Sequence, residues 1–319
     1  MRDFIKKKSS LIINLLLISL AIYGLGRLYF LLTAGFTESN ITTDLSLEPD
    51  HHILPLSPKE KEEIASLLKQ PFHYLGKGCQ SYVFLSADEK YVIKFLKYQR
   101  FRPQFYLKAL SFIPAFEERL RKKTGEKREK LDALLKSWKI AYNDLKEETG
   151  LIYLHLNAGN QLQSPLEIID KMGFNHTIDP EKVVFLVQKR AKMLCAEIKE
   201  EMAKGHLMNL QALFENLLAM LLFEYQRGFG DNDHALMQNT GVIENQPLHI
   251  DVGQFSKEER FKSPDIYKQE LFSKTYKFRI WLLKNYPELE HYLTKRLKDI
   301  IGHEINEMRP ILKTVDEGA

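Results

Sequence analysis

Residues 228–255 read Gly-Phe-Gly-Asp-Asn-Asp-His-Ala-Leu-Met-Gln-Asn-Thr-Gly-Val-Ile-Glu-Asn-Gln-Pro-Leu-His-Ile-Asp-Val-Gly-Gln-Phe, and their reading decides the fold. An apolar helical pattern stops at Arg227. A loop carrying Asp231, Asp233 and Asn239 follows, and a short strand over residues 247–250 then delivers Asp251-Val252-Gly253. Oxygen donors gathered this way suit a hard divalent cation, which one or two carboxylates hold together with phosphate oxygens. The plain alternative is a polar loop, because Asp and Asn favour turns by bonding their own backbone.

A second segment lies upstream. Phe72-His-Tyr-Leu-Gly-Lys-Gly-Cys-Gln-Ser-Tyr-Val-Phe-Leu-Ser86 reads as two strands joined by a glycine turn, and Lys90-Tyr-Val-Ile-Lys-Phe-Leu96 as a third. Gly76 and Gly78 allow a close approach of backbone to a ligand. Taken alone this is a β-hairpin with a lysine on the next strand.

Together the two segments resemble the protein-kinase-like superfamily, and the resemblance rests on four short motifs in order. Gly76 and Gly78 are similar to the glycine-rich loop, with Ser81 in place of its third glycine, and Lys94 matches the strand lysine. The loop after Arg227 resembles the catalytic loop, and Leu-His-Ile-Asp251-Val-Gly253 the metal-binding Asp-x-Gly of the phosphoinositide-kinase and small-molecule-kinase branches. Two departures stand out. Asp231-Asn232-Asp233 occupies the place of His-Arg-Asp, and Asp233 lies six residues before Asn239 where the family has five. The resemblance implies ATP and Mg²⁺ as cofactors. It places Gly76, Gly78 and Ser81 at the phosphates, Val83 and Phe84 over the base, Lys94 on the α- and β-phosphates and Asn239 with Asp251 on the metal. Asp233 is the implied base and Asp231 the reserve candidate. The strand over 183–190 resembles the hinge, which puts Gln188, Lys189 and Arg190 along the adenine edge. For the acid that pairs with Lys94, Glu117, Glu118, Asp144, Glu147 and Glu148 compete, Glu147 or Glu148 first.

The N-terminus carries a different signal. Residues 11–34 are mostly apolar and carry one charge, Arg27, towards one end, and at 1.5 Å per residue they span the roughly 30 Å hydrocarbon core. This predicts a single-pass transmembrane helix after a basic flank (1–10). A cleaved signal peptide is the rival. Arg2, Lys6, Lys7 and Lys8 precede it and no Lys or Arg lies between 35 and 58, which puts the N-terminus in the cytoplasm and the large domain across the membrane. That orientation conflicts with an ATP-using enzyme facing an ATP-poor compartment. The side facing the domain stays open.

Composition sets the remaining bounds. With 319 residues, 44% of them apolar and 28% charged, the chain can bury a sizeable core, and its net charge of +4 forms no long basic stripe. No nucleic-acid partner is expected. Two cysteines, Cys79 and Cys195, exclude a disulfide framework, and no His/Cys cluster has zinc spacing.

The expected fold is α+β. It is a bilobal protein-kinase-like fold, with a small antiparallel-sheet N-lobe and a helical C-lobe, behind one transmembrane helix. A linker covers 35–56, and the His51-His52 pair falls in it. The N-lobe (57–190) opens on a helix capped by Ser57 with Pro58 and Glu60. It contains an enlarged insertion, read as two helices (101–123 and 126–148) broken at Thr124-Gly125, then strands at 151–156, 165–171 and 182–189 with a turn at 175–180. The C-lobe (191–319) holds one long helical stretch to 227, the two loops, a polar exposed stretch at 256–263 and two further helices (265–285 and 287–313). The functional expectation is a membrane-anchored ATP-dependent phosphotransferase, with the lipid bilayer, nucleotide and a protein or small-molecule substrate as partners. The alternatives are a pseudokinase-like module that binds nucleotide or a partner without turnover, and a tethered helical interaction protein with no kinase ancestry.

Overall fold

The computed structural model describes residues 2–43, 56–156, 164–302, 305 and 307–311. In chain order its elements are α1 (Arg2–Thr33), α2 (Glu38–Ile41), α3 (Pro58–Leu68), β1 (Phe72–Lys77), β2 (Ser81–Ser86), β3 (Tyr91–Leu96), α4 (Phe105–Ala109), α5 (Pro114–Asn143) and α6 (Lys146–Thr149). Then follow β4 (Leu151–His155), β5 (Leu166–Ile169), β6 (Asn175–Ile178), β7 (Phe185–Lys189), β8 (Lys192–Met193), α7 (Leu194–Ala203) and α8 (Leu207–Gln226). The last third holds β9 (Phe229–Asp231), α9 (Leu236–Asn239), β10 (Thr240–Ile243), β11 (Gln246–His249), β12 (Phe255–Lys257), α10 (Pro264–Asn285) and α11 (Pro287–Ile301). The chain is thus mixed α+β. Its described residues fall into two units, one from 2–43, 56–100 and 164–185, the other from 101–156 and 186 onward.

The first unit is built on a sheet in the order β3-β2-β1-β5-β6. The sheet is mixed, not antiparallel as expected, because β5 returns to pair parallel with β1 while the other neighbours run antiparallel. Alternation along β2 decides its two faces. Tyr82 and Phe84 are buried, while Val83 and Leu85 are half-exposed. Of the residues read as a turn at 175–180, Asn175–Ile178 are β6, and the β5–β6 turn is made instead at Asp170–Gly173, where Gly173 has a φ of +88°. Asp170 accepts the amides of Met172 and Phe174 through Oδ1, which closes that turn.

The capping of α3 follows the sequence. Ser57 accepts the Glu60 amide and the Glu60 carboxylate accepts the Ser57 amide, closing the box on both sides.

Residues 35–43, the start of the expected linker, are built into this unit. Phe36 is buried and meets the rings of Tyr82, Phe84 and His176 edge-on at 5.3–5.4 Å. Ile41 is buried, and the Thr43 amide donates to Lys182 O. Before them, α1 contains the apolar span Ile13–Thr33, long and apolar enough to cross a membrane and almost wholly uncovered by the rest of the protein. It ends at Ala34-Gly35, both with positive φ. A side chain on Gly35 would lie 2.5 Å from the Phe30 ring, so glycine is required there.

The second unit is mostly helical. α8 carries Leu210, Leu213, Phe214, Leu217 and Leu221 into a core shared with Phe278 and Leu282 of α10 and Leu289, Leu293 and Leu297 of α11. α8 also has the length and apolarity of a membrane span, but its stripe is core. The insertion read as two helices is one, α5, running through Thr124-Gly125. A single interior glycine costs about 1 kcal/mol, and a 30-residue helix absorbs it. Conversely, residues 191–227 divide into α7 and α8 at Gly205, which has a φ of +75°. The polar stretch at 256–263 hides Phe261, which is buried among the core residues. The last helix stops at Ile301, and residues 312 and 313 of the expected helix lie outside the described residues, as do His51 and His52.

Candidate functional site

The glycine-turn half belongs to the first unit. Gly76 pairs with Val83 across β1 and β2, and Val83 pairs with Lys94 across β2 and β3. Directly paired residues in antiparallel strands share a face, so Gly76, Val83 and Lys94 form one transverse row. The opposite face carries Tyr82, Phe84 and Phe95 into the core. Neither Gly76 nor Gly78 has a positive φ, and a methyl group at either would meet nothing within 4 Å. The backbone of the turn therefore does not demand glycine. What glycine supplies there is open surface.

The turn is held from beneath. The Gly78 amide donates to Ser81 O at 3.0 Å, so Ser81 closes the turn through its backbone. Lys97 and Arg100, just beyond β3, donate to the carbonyls of Gly78 and Cys79. Lys97 is buried and its ammonium lies 4.7 Å from the Tyr82 ring centroid. Burial, reinforced by Lys77 and Arg100, pulls its pKa down to about 8. Cys79 is exposed and Cys195 half-buried, and both are free thiols.

The acidic half belongs to the second unit, and the residues read as one loop contain β9, α9 and β10. Asp231 ends β9, which pairs with β12. Its Oδ2 accepts from the Lys274 ammonium of α10 at 2.6 Å, both side chains are at most 3% exposed, and Oδ1 accepts the Asp233 amide. Lys274 also donates to Asp233 O at 3.3 Å. Asp233 itself is half-exposed. Its Oδ1 accepts the Ala235 amide at 2.9 Å, and its Oδ2 accepts from Asn239 Nδ2 at 2.9 Å. The Ile250 amide donates to Asn239 O at 2.7 Å, tying the end of β11 to the end of α9. Asp251 follows, exposed, with Oδ1 accepting the Gly253 amide.

Buried pairs brace this loop. His249 Nε2 meets Glu224 Oε1 at 2.7 Å with both residues essentially inaccessible, and His234 Nε2 meets Glu270 Oε2 at 2.8 Å. Gln188, expected at the adenine edge, is buried and donates to the carbonyls of Thr149 and His249. Of the acids considered for Lys94, Glu148 accepts from Arg227 at 3.1 Å and Asp144 lies 3.8 Å from Lys257, so both are engaged within their own unit. Glu117, Glu118 and Glu147 are exposed.

The structure therefore brings Asp231, Asp233 and Asn239 together by hydrogen bonds, with Asp251 two residues beyond β11 and next to Ile250, whose amide bonds Asn239. In the other unit it aligns Gly76, Val83 and Lys94. Sequence reading missed Lys274 and Lys97. Lys274 looked like one more charge on a helix, 43 residues from its partner; only Leu271 and Phe278, about one turn to either side, hinted at burial.

No model of a known protein family matches the chain, and none of the curated proteins does. Among solved structures, the chain is similar to the bifunctional kinase-methyltransferase WbdD at 15% identity and a TM-score of 0.34, over 73% of this chain and 44% of that one. The matched region thus covers less than half of that protein.

Proposed function

We propose that the chain is a membrane-anchored, kinase-like phosphotransferase of bilobal architecture, moving the γ-phosphoryl group of ATP to a hydroxyl of a protein or small molecule. The observation that carries the reading is the Asp233–Asn239 hydrogen bond, with the Ile250 amide on the Asn239 carbonyl. One short segment so holds a half-exposed carboxylate, an amide oxygen and the adjoining exposed Asp251. Phosphoryl transfer asks for that set, because it depends on positioning and charge neutralisation more than on covalent work by the protein.

Each residue then has a role. Asp233 orients the acceptor hydroxyl. Asp231, sealed against Lys274, holds the loop instead. Asn239 donates through Nδ2, so its Oδ1 is the atom that suits a cation, and with Asp251 it makes a hard-oxygen donor pair fitting Mg²⁺, whose remaining positions phosphate oxygens and water fill. Bound there, Mg²⁺ would neutralise charge on the phosphates. In the other unit Lys94 binds the α- and β-phosphates, Gly76, Gly78 and Ser81 line the phosphate surface, and Val83 covers the base. The test is Mg·ATP binding and ADP release by the full chain and its Asp251→Ala variant. Loss of binding in a folded variant is expected, and unchanged Mg·ATP affinity would overturn the assignment.

One observation favours a second reading, a pseudokinase-like module. Both carboxylate oxygens of Asp233 already accept hydrogen bonds from within the loop. Binding without ADP release would select it.

A further inference from the structure

The exit of α1 is gripped by side chains from distant parts of the first unit. Lys171 donates to Leu31 O at 2.8 Å and Lys77 to Ala34 O at 2.7 Å, the latter with its ammonium 4.0 Å from the Phe30 ring centroid. The Tyr82 hydroxyl and Asn40 Nδ2 both donate to Gly35 O. Cations on the last carbonyls of a helix complement its dipole. The grip is stiff on the hairpin side too: His176 on β6 bridges Asp170 at 3.0 Å and Glu38, just beyond α1, at 2.8 Å.

Depth follows from helix geometry. The apolar span has 21 residues, so at about 1.5 Å each it is roughly as long as the hydrocarbon core is thick, and Leu31 stands at the boundary of that core instead of beyond it. Whatever is fastened to Leu31 O stands there as well. Lys171 follows Asp170 in the β5–β6 connection, and the next two side chains there, Met172 and Phe174, are 45% and 60% exposed. The turn is preformed by Asp170, so no ordering is required of it on contact. An aromatic, a thioether and a cation at that depth match the chemistry of the lipid interface, where rings settle at headgroup level and lysine snorkels.

We infer that the Lys171–Phe174 turn is an interfacial membrane contact, with Met172 and Phe174 entering the headgroup–acyl boundary beside the exit of α1. This rests on reading α1 as membrane-spanning. The consequence is a fixed attitude: the first unit cannot swing freely on its anchor, and Lys77, one residue from Gly78, is fastened to the same helix end.

The test adds one tryptophan at a time to the full chain, with the emission of its own Trp138 and Trp281 read from the parent and subtracted, in phosphatidylcholine nanodiscs whose acyl chains carry bromine either near the headgroup or near the chain end. Phe174→Trp and Met172→Trp should each emit to the blue of an exposed tryptophan and be quenched more by the shallow bromine than by the deep one, relative to the parent chain. Ala87→Trp, at the far end of β2, should show neither effect. Leu20→Trp, in the middle of α1, reports on the anchor itself. Quenching of Leu20→Trp by the deep bromine, with both turn variants unquenched and red-emitting, would overturn the contact and leave the spanning helix standing. If Leu20→Trp is not quenched either, the spanning reading falls and the contact with it.

Discussion

The glycine turn and the acidic loop hold their polar atoms in opposite ways. Around Gly76 and Gly78 the surface is open, a methyl group at either would touch nothing within 4 Å, and the turn is shaped by strand pairing and by two cations on its carbonyls. Around Asp231 and Asp233 each carboxylate oxygen is already engaged, the partners Lys274 and Asn239 are buried, and ion pairs tie the loop to α8 and α10. One half is defined by strand register and the other by side-chain networks. Substitutions in the acidic loop should therefore cost stability first, and those in the glycine turn should cost ligand binding while sparing the fold.

The largest effect is expected at Lys274. Lys274→Met leaves Asp231 buried without its counter-charge, which should lower unfolding stability by about 3–5 kcal/mol in a denaturant titration. Adding Asp231→Leu should return much of that loss, because a buried pair replaced by apolar groups is often nearly neutral. A single variant as stable as the parent would mean that the acidic loop does not depend on its buried ion pair.

A side chain on Gly230 would lie 2.2 Å from the buried Phe261 ring, so Gly230→Ala should cost about 1–3 kcal/mol by overpacking. Gly78→Ala meets open space at an ordinary backbone angle and should shift the unfolding midpoint little, or upward, by under about 1 kcal/mol. Equal costs at the two sites would show that both halves are packing-limited.

The smallest effect is a pH dependence at the helix exit. Burial opposes charge on His176, but hydrogen bonds and charges from Asp170 and Glu38 outweigh it and hold the imidazole above its ordinary 6.5. Its contribution is complete below that value and is lost as pH rises through the raised one. Burial likewise opposes ionisation of Asp170, yet His176 and the amides of Phe174 and Met172 hold it below 3.8, so its contribution is lost as pH falls through the lowered value. The clamp should be strongest between those limits, by up to about 1 kcal/mol, and His176→Gln should flatten that dependence in melting curves taken from pH 5 to 9.

Much of the local structure was legible in the chain. Ser57 and Glu60 announce a helix start because the capping box is a short-range device, and the alternation through Tyr82–Leu85 announces a half-buried strand for the same reason. Asp233, Asn239 and Asp251 stood out as a set of oxygen donors, and the loop does join Asp233 to Asn239. What stayed hidden depends on contacts far apart in sequence. The break expected at Thr124-Gly125 does not occur, since thirty residues of helix outweigh one glycine. The strand at Asn175–Ile178 owes its existence to β5, not to its own propensity. Phe36 and Ile41 looked like linker until Tyr82, Phe84 and His176 enclosed Phe36. The charge at the exit of α1 is likewise a folded property: no cation lies between 35 and 58 in sequence, yet Lys77 and Lys171 sit on the helix end.

If these two halves serve phosphoryl transfer, as we propose, ADP release by the full chain with Mg·ATP shows it most directly, alongside Asp233→Asn and Lys94→Met. Turnover is expected in the parent. Asp233→Asn should bind nucleotide without turning it over, and Lys94→Met should fold normally but bind nucleotide poorly. A folded parent chain that neither binds Mg·ATP nor releases ADP would contradict it.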